Sequence, residues 1–177
     1  MNALVLGDSI IRHCHTPKHA DILSIRGATV DTLITRVKQN IINFSNYQLV
    51  IIHVGTNDVD NGNADLILPK LLELCSEIRN RQAFMQFIIS AIIPRPKDFD
   101  TTDAIIKQVN RSIAGWCSRR MDFTFYPTYN TFQKFGWPDL RSEYWDTDNL
   151  HLADQGVKRL NLLLKSMVSM WKNGTLR

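Results

Sequence analysis

Short runs that are apolar at nearly every position, separated by stretches with helical spacing, constrain this chain more than any other feature. Ala3-Leu-Val-Leu6, Leu49-Val-Ile-Ile-His-Val54, Phe87-Ile-Ile-Ser-Ala-Ile-Ile93 and the shorter Phe123-Thr-Phe-Tyr126 lack the polar alternate face of a half-exposed strand. Each reads as a strand buried on both sides, and Asp21 to Ile25 is a further candidate. Between them lie amphipathic helices. Val30, Leu33, Ile34, Val37 and Ile41 mark the first, with Thr29 or Asp31 available near its start. Ile67, Leu71, Leu74, Cys75 and Ile78 mark the second, where Pro69 is tolerable if it falls in the first turn. Ile105, Ile106, Val109, Ile113 and Trp116 mark the third. Val157, Leu160, Leu164, Met167 and Trp171 mark the last, with Asp154 as its expected N-cap. This alternation describes an α/β domain whose parallel sheet is covered on both faces. Ligands in such sheets bind at the carboxyl ends of the strands.

At 177 residues the chain is one domain's worth, spanning 1–177. Charged residues are 21% and hydrophobic ones 44%, which excludes a disordered chain. The net charge of +4 tolerates nucleic acid or an anionic membrane but demands neither, since the charges are interspersed. Cys14, Cys75 and Cys117 leave at least one thiol unpaired, which favours a reduced, intracellular and cytoplasmic setting. No apolar stretch reaches the roughly 18 residues of a membrane span. The chain starts almost inside its first strand, as a domain excised from a longer protein would. One long irregular stretch, Pro127 to Asn149, precedes the last helix.

Four polar clusters fall at the predicted carboxyl edge. They are Gly7-Asp8-Ser9, Arg26-Gly27-Ala28, Gly55-Thr56-Asn57-Asp58 and Asp148-Asn-Leu-His151. Each alone has a plain explanation, because Gly-Asp-Ser is a common turn and Asn-Asp pairs cap helices. Together they supply a Ser, a His, an Asp and three candidate oxyanion donors. A serine hydroxyl needs a base to take its proton, and histidine does this best near neutral pH. Asp148, three residues before His151, can reach the ring and fix its tautomer. The backbone N–H of Ser9, the backbone N–H of Gly27 and the Asn57 amide are the candidate donors to a tetrahedral intermediate.

On these residues the sequence resembles the SGNH, or GDSL-type, hydrolase superfamily. Ser9, Gly27, Asn57 and His151 occur in that superfamily's order, within a G-D-S opening, a G-x-N-D block at Gly55 to Asp58 and a D-x-x-H at Asp148 to His151. Ile10 stands where the signature usually has Leu. The resemblance implies a three-layer α/β/α, flavodoxin-like SGNH hydrolase fold with about five parallel strands. It also implies carboxyl-ester hydrolysis through an acyl-serine intermediate, with no metal and no cofactor. Ser9 would be the nucleophile, His151 the base and Asp148 its orienter; Gly27 and Asn57 would complete the oxyanion hole. Asp8 and Asp58 match motif positions and look like loop-fixing groups.

Ile93-Pro94-Arg95 is similar to a block in the catalytic subunits of platelet-activating-factor acetylhydrolase. The runs His53 to Asp58 and Asp148 to Gly156 resemble the esterase domain of LINE-type retrotransposon first open-reading-frame proteins. Both likenesses imply acetyl or other short acyl esters, and a small ester or lipid-like molecule as substrate. The second implies that any nucleic acid or membrane partner is met through neighbouring domains. A domain of the same fold that serves only binding or assembly is the competing reading.

Some residues carry more than one expectation. Arg95 could hold an acidic group of the substrate or bridge to a nearby carboxylate. His13, Cys14, His15 and His19 look like a metal cluster, but Pro17 interrupts any helix that would align them. His53, inside a strand, reads as a core histidine. Phe132, Phe135, Trp137, Tyr144 and Trp145 could stack on bases or touch lipid, but are expected to pack the long loop over the sheet beside His151.

Overall fold

The computed structural model describes residues 2–61, 64–133 and 141–176. Five strands form one parallel sheet: β1 (Ala3–Gly7), β2 (Ala20–Ser24), β3 (Leu49–His53), β4 (Gln86–Ser90) and β5 (Phe123–Tyr126). Their order is β2-β1-β3-β4-β5, and every neighbouring pair is parallel. The order reverses at β1, so the crevice beyond β1 and β3 is where such a sheet offers a site.

Strand pleating decides which residue serves which face. Leu4, Leu6, Val50, Ile52, Phe87 and Ile89 pack with buried residues of three helices, α1 (Val30–Lys38), α2 (Ala64–Arg79) and α3 (Phe99–Cys117). Ala3, Val5, Leu49, Ile51 and Ile88 face the other way, onto α4 (Asp154–Lys172). That second face is completed by Ile10, Ile11, Phe132, Trp145 and Leu152, all buried. The part of the irregular stretch that is described therefore does pack over the sheet: the Phe132 ring lies 5.5 Å from Tyr144 and 5.9 Å from Trp145, centroid to centroid. Phe135 and Trp137 lie outside the described residues. Among the described residues no helix is long and apolar enough to cross a membrane.

Several expectations about the elements are corrected for local reasons: α1 ends at Lys38, short of Ile41, because Asn40 takes φ 54° and the Ile41 N–H turns back to the Arg36 carbonyl at 3.2 Å. β4 ends at Ser90, although Ala91, Ile92 and Ile93 remain buried. Asn110, from α3, accepts from the Ile92 N–H and donates to its carbonyl, both at 2.9 Å, so a side chain replaces the strand neighbour. This satisfies the backbone of an apolar run that has left the sheet. Pro69 lies at the sixth position of α2, not in its first turn. Its missing N–H costs the helix one internal bond there. Asp154 is the first residue of α4, and Ala153 stands at the cap position without a side-chain hydrogen bond. Thr29 does cap α1, in a reciprocal pair with Thr32.

Candidate active site

Ser9 follows β1 and opens a single 3₁₀ turn, Ser9–Ile11. Asp8 shapes it by accepting the Ile10 N–H at 2.9 Å. The loops after β1, β2 and β3 are laced together at this edge. Ser24 donates to the Asp8 carbonyl (2.7 Å), the Ile25 N–H donates to the Gly7 carbonyl (2.9 Å), and Asn57 Nδ2 donates to the Ala28 carbonyl (2.9 Å). The Asp58 carboxylate accepts the Val30 N–H, at the first turn of α1. Asp8 and Asp58 thus act on backbone and hold the loops in place.

The chain returns to Ser9 142 residues later. A tight turn, with the Asn149 N–H bonded to the Asp146 carbonyl and Asn149 at φ 54°, folds Asp148 and His151 toward each other. Asp148 Oδ1 accepts the N–H groups of Leu150 and His151, both at 2.9 Å, and Oδ2 lies 2.6 Å from His151 Nδ1. With Nδ1–H donating to Asp148, Nε2 is left to accept from Ser9 Oγ at 3.0 Å. Asp148 is half exposed, so burial is not what sets its ionisation. The bond from the His151 ring and then the two backbone N–H bonds hold its carboxyl down at about 2. It is therefore a carboxylate at any working pH, able to stabilise an imidazolium.

Gly156 supports this turn from α4. A Cβ there would sit 2.2 Å from the Tyr144 carbonyl oxygen, which also accepts the Ala153 N–H at 3.0 Å. The start of the helix and the segment before His151 are in backbone contact, a constraint only a glycine meets. At Gly27 the requirement is different. A Cβ would meet no protein atom within 4 Å, and the φ of +66° is what favours glycine. Neither the Ser9 N–H nor the Gly27 N–H donates to another described residue, and one Nδ2 hydrogen of Asn57 is likewise uncommitted. The three candidate donors are available.

A cleft of about 290 Å³ opens beside Ser9 and His151, lined also by Arg12, His13, Arg26, Asp146, Asp148 and Leu152. Arg12 and Asp146 were not singled out by sequence reasoning, because nothing in their spacing distinguishes them from surface charges.

Arg95 does not reach this cleft. Its side chain is 1% exposed, and four of its five N–H groups are bonded. It donates to Asp98 Oδ1 (3.0 Å) and Oδ2 (2.6 Å), to Asp60 Oδ1 (2.5 Å) and to the Thr56 carbonyl (2.5 Å). The substrate-binding expectation is corrected here, because no donor direction points to open space. Its effect on the site runs through Thr56, which precedes Asn57.

His53 is also buried. Its Nδ1 lies 2.8 Å from Ser90 Oγ, which lies 2.6 Å from Thr128 Oγ1, and burial pushes the imidazole down to about 4. It is a neutral core histidine. Among the described residues no three His, Cys, Asp or Glu side chains converge to hold a metal.

Asp8 gives a pH prediction. It is fully buried, Oδ2 has no partner among the described residues, and burial raises its carboxyl to about 7. The Ile10 N–H offsets this in part, and Asp58 adds to it. From about pH 4 to about pH 7 the unfolded chain releases this proton and the folded chain keeps it. Stability from this group is therefore lost as pH rises through that window. Asp8→Asn, which keeps an acceptor for Ile10, is expected to flatten the fall. Parallel Tm curves for both proteins over pH 4–8 would count against the assignment.

The comparisons bear on the family and the fold. The model of the GDSL-like lipase/acylhydrolase family matches residues 5–159. No curated protein sequence matches the chain. Among solved structures, a GDSL-like lipase from Bacteroides thetaiotaomicron is 21% identical, with a TM-score of 0.75 over 95% of this chain and 87% of that one. A mutant acetyl esterase with an acetate ion is 17% identical, with a TM-score of 0.72 over 98% of this chain and 99% of that one. The esterase domain of an open-reading-frame protein from a zebrafish retrotransposon is 21% identical, with a TM-score of 0.53 over 96% and 99%.

Proposed function

The chain belongs to the GDSL-like lipase/acylhydrolase family and is a carboxylic ester hydrolase, and on that premise we propose a serine esterase acting on short, acetyl-type esters through an acyl-serine intermediate. The observation that carries this reading is the continuous chain Ser9 Oγ, His151 Nε2, His151 Nδ1, Asp148 Oδ2, with contacts of 3.0 and 2.6 Å. His151 Nε2 takes the hydroxyl proton as Ser9 Oγ attacks the ester carbonyl. The negative charge on the carbonyl oxygen is met by the N–H groups of Ser9 and Gly27 and by Asn57 Nδ2. The imidazolium, stabilised by Asp148, then protonates the departing alkoxide. Water, deprotonated by the same nitrogen, releases the acid and restores Ser9.

The acyl-length proposal is supported by the size and lining of the cleft. At about 290 Å³ it lies at the small end for ligand sites, and among the described residues Leu152 is its one apolar lining side chain. A long acyl chain would find little room there and a single aliphatic side chain among the described residues to pack on. p-Nitrophenyl esters of increasing acyl length test this, with kcat/KM expected to be highest for acetyl and to fall steeply beyond short chains. Equal or rising values for long chains would overturn it. Asn57→Ala is expected to lower kcat by about 10²-fold, with acyl-enzyme still detectable by burst kinetics. An effect below threefold would remove Asn57 from the oxyanion hole.

The proposal extends to context. Similarity to the zebrafish retrotransposon esterase domain over 96% of the chain supports an esterase domain of a longer protein of that kind. Nucleic acid or membrane would then be engaged by neighbouring domains.

A further inference from the structure

Resting on the esterase reading, we infer that the substrate of this cleft carries a second, anionic group, a carboxylate or a phosphate, held by Arg12 and Arg26. Arg12 ends the 3₁₀ turn that Ser9 begins, and its N–H bonds the Ser9 carbonyl at 3.2 Å. Arg26 immediately precedes Gly27. Both line the same cleft as the Ser9 hydroxyl, approaching it from the loops after β1 and β2.

Neither guanidinium makes a side-chain hydrogen bond or ion pair with another described residue. Outside the helices this sets them apart. Arg81, Arg95, Arg119, Arg120 and Arg141 each donate to a protein acceptor. The two carboxylates of the cleft balance the pair in formal charge but form no ion pair with either guanidinium. Asp148 is committed to the His151 ring and two backbone N–H groups, and Asp146 caps the Thr147 N–H at 2.7 Å. Both come from the segment before α4, so the cleft has an acidic arm around the base and a cationic arm on the other loops. The ester carbonyl needs no arginine, since its oxyanion is met by neutral N–H donors. Two planar guanidinium forks beside the nucleophile suit a planar or tetrahedral oxyanion elsewhere on the substrate.

Three acetyl esters of matched shape provide the test: methyl 4-acetoxybenzoate, 4-acetoxybenzoate and 4-acetoxyphenyl phosphate. Their kcat/KM values are compared in the parent chain and in Arg12→Gln/Arg26→Gln, so that intrinsic leaving-group reactivity cancels. The ratio of anionic to neutral ester is expected to fall about tenfold in the variant, and the difference to shrink with added salt. The larger fall marks carboxylate or phosphate as the preferred group. A ratio that moves by less than twofold for both anions overturns the inference and leaves the esterase reading standing. A second readout needs no turnover. Ser9→Ala is titrated calorimetrically with 4-acetoxybenzoate, alone and combined with both arginine substitutions. A roughly tenfold weaker Kd in the combined variant is expected, and equal or undetectable binding in both counts against the site. Arginine-dependent binding without Ser9-dependent hydrolysis of any ester would overturn the esterase reading and keep the anion site.

Discussion

Ser9→Ala is expected to lower kcat/KM for p-nitrophenyl acetate by about 10⁴-fold or more, with Tm close to that of the parent. The hydroxyl is partly exposed, and its one side-chain bond is to His151, so its removal leaves no buried group stranded. The residual rate should reflect only binding and oxyanion donors, which survive the substitution. No other described serine meets an imidazole at an open cleft: Ser90, against His53, is buried. Activity in Ser9→Ala within tenfold of the parent would remove Ser9 as nucleophile, and Tm measured alongside separates lost chemistry from lost folding.

The second large effect is expected far from any substrate. Arg95→Met keeps much of the side-chain volume but strips Asp98, Asp60 and the Thr56 carbonyl of their common donor. Asp60 is half exposed and can turn to water, whereas the Thr56 carbonyl and Asp98 are less free to do so. A loss of about 3 kcal/mol in urea unfolding is expected, below the full cost of stranding a wholly buried charge. Because Thr56 precedes Asn57, kcat is expected to fall together with stability, with KM for a neutral ester moving less. Under 1 kcal/mol of destabilisation would show that water replaces the guanidinium readily.

The contrast between these two residues shows where sequence reasoning reaches. Ser9, Asp148 and His151 sit in short local patterns whose chemistry is legible, and the structure brings the three side chains within hydrogen-bonding distance. β1 and β3 are legible for a similar reason, since a run buried on both sides is nearly all apolar. Arg95 stands in a block as distinctive as theirs, yet one of its acidic partners, Asp60, is 35 residues upstream, and no local pattern encodes that meeting. β4 ends before its apolar run does because Asn110, from another element, satisfies Ile92 in place of a strand. α4 starts at Asp154 instead of after it because Ala153 is held by the Tyr144 carbonyl and not by a side-chain cap. Local propensity gives elements and motifs, while long-range polar contacts decide boundaries and the partners of buried charge.

The bond between Ser9 and His151 also joins the first strand's end to the last helix's beginning, across 142 residues of chain. Closing so long a loop carries an entropic cost that contacts between the intervening strands must first offset. During folding, His151 can meet Ser9 only after the sheet and the α4 face have been assembled. Hydrolytic activity thus appears late in folding, and local release of α4 alone would silence the enzyme while the sheet and the three-helix face stayed whole.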